Sequence, residues 1–312
     1  MIPVYRGLDE IPHVFGACVA AIGNFDGVHR GHQEILGAVV DEARRRNLRA
    51  IAITFDPHPE KLLRPDRAPQ LLTPMPERVR LLGETGIDAV VVLPFSRALA
   101  GLPAREFVRK VLVDALAVRG LHEGANFRFG RRAEGGIDEL RAFGAEFGFG
   151  VTVHEAVHVH GMEVSSSAVR ELVAAGDMRR ARWMLGRPFA LRGTQKRDRG
   201  VGTRLLVPTV NLAPYEGLLP ANGVYVTRIT MGERCFQAVT NVGNRPTFED
   251  AGFSVETHIL DFEPVEMGDD AELHLEFLVR VRDERRFATT DELKAQIMRD
   301  VARAQRFFRL AV

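Results

Sequence analysis

Two histidines, His29 and His32, lie three residues apart inside Gly23-Asn-Phe-Asp-Gly-Val-His-Arg-Gly-His32. Imidazoles at this spacing can donate hydrogen bonds to a phosphoryl group during its transfer. The stretch follows an apolar run at residues 19–22 and precedes a helix-like segment from Gln33. It therefore reads as strand, tight turn and helix start. Glycines let the backbone approach a ligand closely. A helix N-terminus offers unpaired N–H groups and a positive dipole end to phosphate. A bare H-x-G-H is also compatible with two ordinary loop histidines; the flanking glycines and the strand-to-helix context favour phosphate chemistry.

Three further stretches carry groups of related use. Thr54-Phe-Asp-Pro-His-Pro59 ends a second apolar run. It places a carboxylate and an imidazole on a proline-stiffened rim, or is a plain loop. Gly124-Ala-Asn-Phe-Arg-Phe-Gly130 sets two aromatics between glycines, which suits a flat ring ligand or an aromatic loop anchor. Ser165-Ser-Ser-Ala-Val-Arg170 has hydroxyls at a helix start and an arginine one turn on. That suits a triphosphate; the serines alone are an N-cap. His154, His158 and His160 lack an Asp, Glu or Cys partner pattern and read as surface or satisfied histidines.

The elements that must position these groups fall into two halves. In the first, short apolar runs at residues 19–22, 50–55 and 89–95 read as strands buried on both faces. Helical spacing joins Phe107, Val108, Val111, Leu112, Ala115 and Leu116, and a further strand reads at 151–157. Strands alternating with helices imply a parallel sheet, with ligands beyond its carboxyl edge. Two helices close this half: 165–175, ended by Gly176, and 178–185, capped by Asp177. Gly186-Arg187-Pro188 is the break, so the expected domains are 1–186 and 187–312.

After the break, 224–231 and 234–242 read as a hairpin about Gly232-Glu233, of the two-residue type that takes glycine first. Runs 255–262 and 271–281 alternate, with Leu273, Leu275 and Phe277 on one face. This predicts an antiparallel barrel or sandwich. Thr289 and Glu292 have capping-box spacing at the start of a final helix whose predicted buried stripe is Leu293, Ile297, Val301, Ala304 and Phe308.

Bulk composition narrows the classes. The 312 residues suffice for two cores, with 46% hydrophobic and 27% charged residues. A net charge of +1, without a long basic block, speaks against a nucleic-acid partner. Cys18 and Cys235 alone exclude a disulfide framework and fit a reducing cytoplasm. No apolar run reaches the about 18 residues of a membrane span, and the start MIPVYRGLDEIPH has no signal pattern. The expectation is a cytoplasmic monomer or weak homo-oligomer with no membrane partner.

In their order, the four motifs of the first half resemble the FAD synthetase module of bacterial bifunctional riboflavin kinase/FAD synthetases, within the wider H-x-G-H nucleotidyltransferase group. Pro208-Thr-Val-Asn211, Leu219-Pro-Ala-Asn-Gly-Val-Tyr225, Asn241-Val-Gly-Asn-Arg-Pro-Thr-Phe248 and Val255-Glu-Thr-His258 resemble its flavokinase module. The resemblance covers nearly the whole chain. It implies a Rossmann-like α/β nucleotidyltransferase domain followed by an antiparallel β-barrel with a terminal helix. It further implies two reactions: ATP phosphorylates riboflavin to FMN, and FMN attacks the α-phosphorus of a second ATP to give FAD and pyrophosphate.

On that resemblance His29 and His32 stabilise adenylyl transfer and Glu256 is the kinase base. Gly23, Asn24, Phe25, Asp26 and Gly31 shape the first ATP site, and Ser166, Ser167 and Arg170 hold its phosphates. Asp56, His58, Asn126 and Phe127 fall on the flavin side. In the kinase, Gly193, Gly202, Pro208, Thr209 and Asn211 fall at ATP, Thr209 and Asn211 as Mg²⁺ ligands. Arg282, near Phe287, falls at flavin. Ser167 replaces the family's threonine and keeps its hydroxyl. Asp198 and Leu206 replace glycines of the kinase loop, and Val207 an aromatic. Gly200 offers a shifted turn. Lost glycines restrict backbone approach to ATP, and Asp198 opposes phosphate. The alternative reading is therefore a monofunctional FAD synthetase whose second module binds flavin without efficient kinase activity.

Overall fold

The computed structural model describes residues 2–12, 15–195, 204–205, 209–244, 253–266, 272–285 and 287–310. By contact the chain divides into two compact units, Met1–Ser166 and Ser167–Val312.

In the first unit, strands β1 (Val4–Arg6), β2 (Cys18–Ile22), β3 (Arg49–Asp56), β4 (Ala89–Pro94), β5 (Val118–Gly124) and β6 (Gly150–His154) form one sheet in the order β1-β4-β3-β2-β5-β6. Every pairing is parallel. All five residues of β2 are buried, as a strand covered on both faces requires. One face packs on helices α1 (Arg30–Arg45) and α3 (Met75–Gly83) through Leu36, Val39, Ala43, Leu81 and Leu82. Short helix α2 (Pro59–Leu63) lies between them in sequence.

The other face packs on Phe107, Val111, Leu112 and Leu140. These come from the β4–β5 connection and from α6 (Ile137–Phe147). That connection is not one regular helix. It runs as α4 (Arg97–Ala100), α5 (Ala104–Phe107) and a π-helical stretch Val108–Ala115, which keeps the apolar repeat buried while changing its pitch. Strand β6 stops at His154, short of the predicted 157. A small hairpin, β7 (His158–Val159) with β8 (Met162–Glu163), follows.

The second unit opens with α7 (Ser166–Ala174, its first residue in the first unit) and α8 (Met178–Leu185). Asp177 accepts the N–H of Arg180 as N-cap of α8, and Gly186 ends that helix at φ 76°. These helices group by contact with the strands that follow them. Ala221 N–H donates to Val173 O at 3.3 Å, and a Cβ on Gly176 would fall 2.8 Å from Arg280 Cδ. The contact division thus lies earlier than the predicted break at 186.

Strands β9 (Phe189–Thr194), β11 (Thr209–Asn211), β12 (Gly223–Met231), β13 (Arg234–Asn244), β14 (Phe253–Ile259) and β16 (Glu272–Arg282) form an antiparallel sheet in the order β11-β14-β13-β12-β16-β9. Short β10 (Arg204–Leu205) pairs with β15 (Val265–Glu266). The two edges of the large sheet meet: Gln195 bridges Leu212, and Ala213 N–H donates to Thr194 O at 2.9 Å. These bonds close the sheet toward the predicted barrel. The β12–β13 hairpin turns through Gly232-Glu233 with Gly232 at φ 60°, as two-residue turns of this type need.

Helix α9 (Thr290–Leu310) is capped by Thr289, whose Oγ1 accepts the N–H of Glu292 at 3.2 Å. Its buried face differs from the predicted stripe. Leu293 and Ile297 are exposed, whereas Gln296 and Asp300 are buried; Ala304 is buried as predicted. Val301, Phe307 and Phe308 join the core in its second half. The cause is polar. Arg282 Nε and Nη2 reach Asp300 Oδ2 at 3.0 and 2.8 Å, and Gln296 Nε2 reaches Asp300 Oδ1 at 2.8 Å. A buried carboxylate left without these partners would be costly, so the face that carries them turns inward.

Candidate active sites

The Gly23–His32 stretch leaves β2 and turns sharply into α1. Phe25, Gly27 and Val28 have positive φ of 47°, 84° and 38°. For a β-branched valine this is a strained conformation. A buried carboxylate holds it. Asp26 is 1% exposed, and it accepts the N–H groups of Leu72 and Thr73 at 3.0 Å each, with Arg78 Nη2 3.6 Å away. Gly27 N–H donates to Thr73 Oγ1 at 3.0 Å. Asp26 thus faces the turn's own scaffold. Thr73 and Arg78 escape sequence reading because no local pattern links them to residue 26.

At the end of the turn His29 caps α1, its Nδ1 accepting the N–H of His32 at 3.4 Å. A ring that accepts at Nδ1 in its neutral form carries its proton on Nε2. The two imidazoles are stacked, centroids 3.6 Å apart and 17° from parallel. Phe25 meets His32 edge-on at 5.2 Å. A Cβ on Gly31 would lie 3.3 Å from the His29 ring, and one on Gly23 would lie 3.2 Å from Phe25; a side chain at either position would press on these rings. Among the described residues His32 Nδ1 is buried without a hydrogen-bond partner. Burial, then His29, then Arg78 hold the His32 pKa well below the usual histidine value, so the ring is neutral. A neutral imidazole with an unmet buried nitrogen beside a helix start is ready to meet a polar ligand.

The other predicted residues of this half are placed as follows. Ser166 Oγ donates to Asp26 O at 2.8 Å, a bond within the first unit. Ser167 is exposed and Arg170 half-buried on the same helix. Thr54 Oγ1 donates to Asn24 O at 3.3 Å. Asp56 is exposed; His58 is buried and caps α2 by accepting the N–H of Glu60 at 3.2 Å. Asn126 is exposed. Phe127 is half-buried and stacked on the buried Phe129 at 5.5 Å. Phe129 is the loop's anchor, and Phe127 lies over it. His154 bonds His122, and His122 bonds Glu42 at 2.9 Å.

In the second unit the strand register brings the predicted kinase residues together. Asn211 pairs with Glu256, and Glu256 pairs with Asn241 on its other side. Thr209 lies two residues before Asn211, on the same face of β11. Glu256 is exposed and accepts the Ser254 hydroxyl at 3.0 Å. Among the described residues Asn211 Oδ1 is buried without a partner. An orphaned amide oxygen, a hydroxyl and a carboxylate are hard donors that fit Mg²⁺ with phosphate. Arg282 is engaged with Asp300 and lies over Phe287 at 5.8 Å. Gly193 is half-buried at the end of β9. Gly202, Pro208, Asp198, Leu206, Val207 and Gly200 lie outside the described residues.

A histidine pair beyond the carboxyl end of β2 in a doubly wound sheet, followed in sequence by an antiparallel sheet with a carboxylate–amide row, defines a two-module nucleotide-handling protein. The comparisons sharpen this. The FAD synthetase family model matches residues 12–168 and the riboflavin kinase family model matches residues 185–308. The chain is 38% identical to the bifunctional riboflavin kinase/FMN adenylyltransferase of Escherichia coli K12, over 94% of this chain and 93% of that one. It is 37% identical to the Pseudomonas fluorescens protein of the same name, over 96% of each. A crystal structure described as a macrolide-efflux protein from Streptococcus pneumoniae matches with a TM-score of 0.85 at 26% identity, covering 97% of this chain and 99% of that one. Among the described residues no helix is long and apolar enough to cross a membrane. The chain belongs to the bifunctional riboflavin kinase/FMN adenylyltransferase family.

Proposed function

We propose that the chain phosphorylates riboflavin to FMN with ATP and then adenylylates FMN with a second ATP, releasing pyrophosphate as FAD forms. The first reaction belongs to residues 187–312 and the second to residues 1–186. The matched family segments, 12–168 and 185–308, support this assignment. The substrates are riboflavin, FMN and ATP, all available in the cytoplasm.

In adenylyl transfer, a phosphate oxygen of FMN forms the new bond to the α-phosphorus of ATP. The bond from that phosphorus to the β-phosphate bridge breaks, and pyrophosphate leaves with the electron pair. His29 and His32 donate hydrogen bonds to the oxygens of the crowded, charged phosphorus centre. Gly23, Asn24, Phe25 and Gly31 shape the nucleotide cradle, with Asp26 acting through the turn it holds. Ser166, Ser167 and Arg170 meet phosphates. Asp56, His58, Asn126 and Phe127 line the flavin side. Positioning and charge stabilisation suffice, with no covalent enzyme intermediate.

In the kinase reaction, Glu256 takes the proton of the terminal ribityl hydroxyl as its oxygen bonds to the γ-phosphorus; ADP leaves. Thr209 and Asn211 offer the oxygens for Mg²⁺, which when bound neutralises phosphate charge. Gly193, Gly202 and Pro208 flank ATP, and Arg282 borders flavin.

The observation that carries the reading is the stacked His29–His32 pair at the start of α1, with a His32 Nδ1 that has no partner among the described residues. Purified protein given riboflavin, ATP and Mg²⁺ is expected to yield FMN and then FAD on chromatography. FAD from supplied FMN but none from riboflavin would remove the kinase assignment and leave the monofunctional alternative. No FAD from either flavin would remove both.

A further inference from the structure

Strands β2 and β5 are neighbours, yet their pairing stops at Ala20 and Leu121. On its other side β2 stays bonded: Gly23 N–H donates to Ile53 O of β3 at 3.0 Å. The N–H of Ile22 points the opposite way, toward β5. There it meets Glu123 Oε1 at 2.7 Å. A side chain takes the place of a strand carbonyl, and the two strands part around it.

The place of this substitution matters. The chain runs β2, β3, β4 to one side of the sheet and then β5, β6 to the other, so the strand order reverses between β2 and β5. In open α/β sheets that crevice, at the carboxyl ends of the strands, is where ligands bind. Glu123 stands in it, one residue before Gly124 and across from the last residue of β2. It is 3% exposed. It lies two positions beyond Leu121 on β5, hence on the face whose core contains Ile22, Leu121 and Phe129.

Burial drives the carboxyl pKa well above the usual carboxylate range, the Ile22 N–H only partly opposing this. Burial thus favours the uncharged form of the group relative to a solvated glutamate. Nothing local in the sequence marks it, since a Glu at a strand end reads as a solvated charge.

We propose that Glu123 is a positioning residue for adenylyl transfer: its carboxyl oxygen holds the end of β2 and so sets the height at which Gly23, Asn24 and the His29–His32 pair meet ATP. The proposal rests on the FMN adenylyltransferase reading of the first module. A carbonyl-like group on a side chain lets the strands separate and still fixes the last residue before the turn. An apolar residue would let the strands separate but leave Ile22 N–H unmet. Small displacements of such a cradle cost rate out of proportion to their size.

The test uses the full chain with Glu123→Gln, which keeps an acceptor oxygen, and Glu123→Met, which keeps the length and apolar packing but cannot accept. FAD formation from FMN and ATP is measured beside FMN formation from riboflavin in the same preparations. Met is expected to raise the ATP KM of FAD formation by about 10-fold or more, with Gln within about 2-fold of the parent. FMN formation stays unchanged in both. Amide hydrogen exchange at Ile22 should quicken in Met and hold in Gln.

A Met variant with parental ATP KM overturns the proposal, as does a folded Gln variant as impaired as Met. Should Met lose its fold, Glu123→Asp decides. One methylene shorter, it fails to reach Ile22, and an unchanged ATP KM there overturns the proposal. A parent that makes no FAD from FMN and ATP would instead defeat the underlying functional reading.

Discussion

The imidazoles of His29 and His32 lie face to face, 3.6 Å between centroids, with the N–H of His32 bonded to Nδ1 of His29. One ring orients the start of the helix that carries the other. Burial, with His29 and Arg78 nearby, keeps His32 neutral, so the proposed role is that of a hydrogen-bond donor and not of a fixed cation. His32→Ala is expected to lower FAD formation from FMN by about 10²- to 10⁴-fold while FMN formation continues. Paired chromatographic assays of the two products check this. Equal loss of both reactions in a folded variant would contradict separate sites.

Glu256 makes the reciprocal case. It sits exposed between Asn211 and Asn241 in the strand register. Glu256→Ala should reduce FMN formation from riboflavin by about 10²-fold or more and leave FAD formation from supplied FMN intact. Retained kinase activity would show that the base lies elsewhere.

The Asp26–Arg78 pair predicts a stability effect. Both side chains are 1% exposed, and Asp26 also holds the backbone of Leu72 and Thr73. Asp26→Ala leaves a buried guanidinium without its carboxylate. A destabilisation of about 3 kcal/mol or more is expected, read as a lowered midpoint in urea, with loss of FAD formation as the turn relaxes. A midpoint equal to the parent's would mean that the pair does not hold the turn.

The two thiols should differ in reactivity. Cys18 is fully buried, its Sγ bonded to Leu116 O at 3.2 Å, and burial pushes its pKa up to about 12. Cys235 is exposed. Because the thiolate is the nucleophile, native protein at pH 8 should take up one equivalent of alkylating reagent, and Cys235→Ser should take up none until unfolded. Mass spectrometry of the modified peptide decides between them.

Acid should weaken the first unit through Glu42 and Asp88. Burial raises each carboxyl, but hydrogen bonds outweigh it, from Arg46 and His122 on Glu42 and from Arg44 and Ala50 N–H on Asp88. Both end below their ordinary values of 4.5 and 3.8. A depressed carboxylate adds stability above its unfolded pKa and loses it as pH falls through the folded one. Thermal midpoints should therefore drop below about pH 5, and drop less steeply in a Glu42→Gln/Asp88→Asn variant. Parallel curves for parent and variant would remove these groups from the acid transition.

What the sequence determined by itself was local or periodic. The apolar runs announced β2, β3 and β4 because strands buried on both faces need unbroken hydrophobic residues. Gly232 marked its hairpin because few other residues tolerate φ 60°. His29, Gly31 and His32 were legible because their spacing is short and their residue types are chemically narrow. Other relationships belong to the tertiary structure alone. Asp26 with Thr73 and Arg78, Glu123 with Ile22, and Asn211 with Glu256 join positions 45 to 101 residues apart. Sheet order and strand register bring them together, and no local pattern encodes either. Helix α9 shows the same limit within a single element. Its apolar period pointed to Leu293 and Ile297, but the need of Asp300 and Arg282 to pair when buried turned Gln296 and Asp300 inward. Periodicity records hydrophobic preference; the satisfaction of buried polar groups is decided only once the chain has folded.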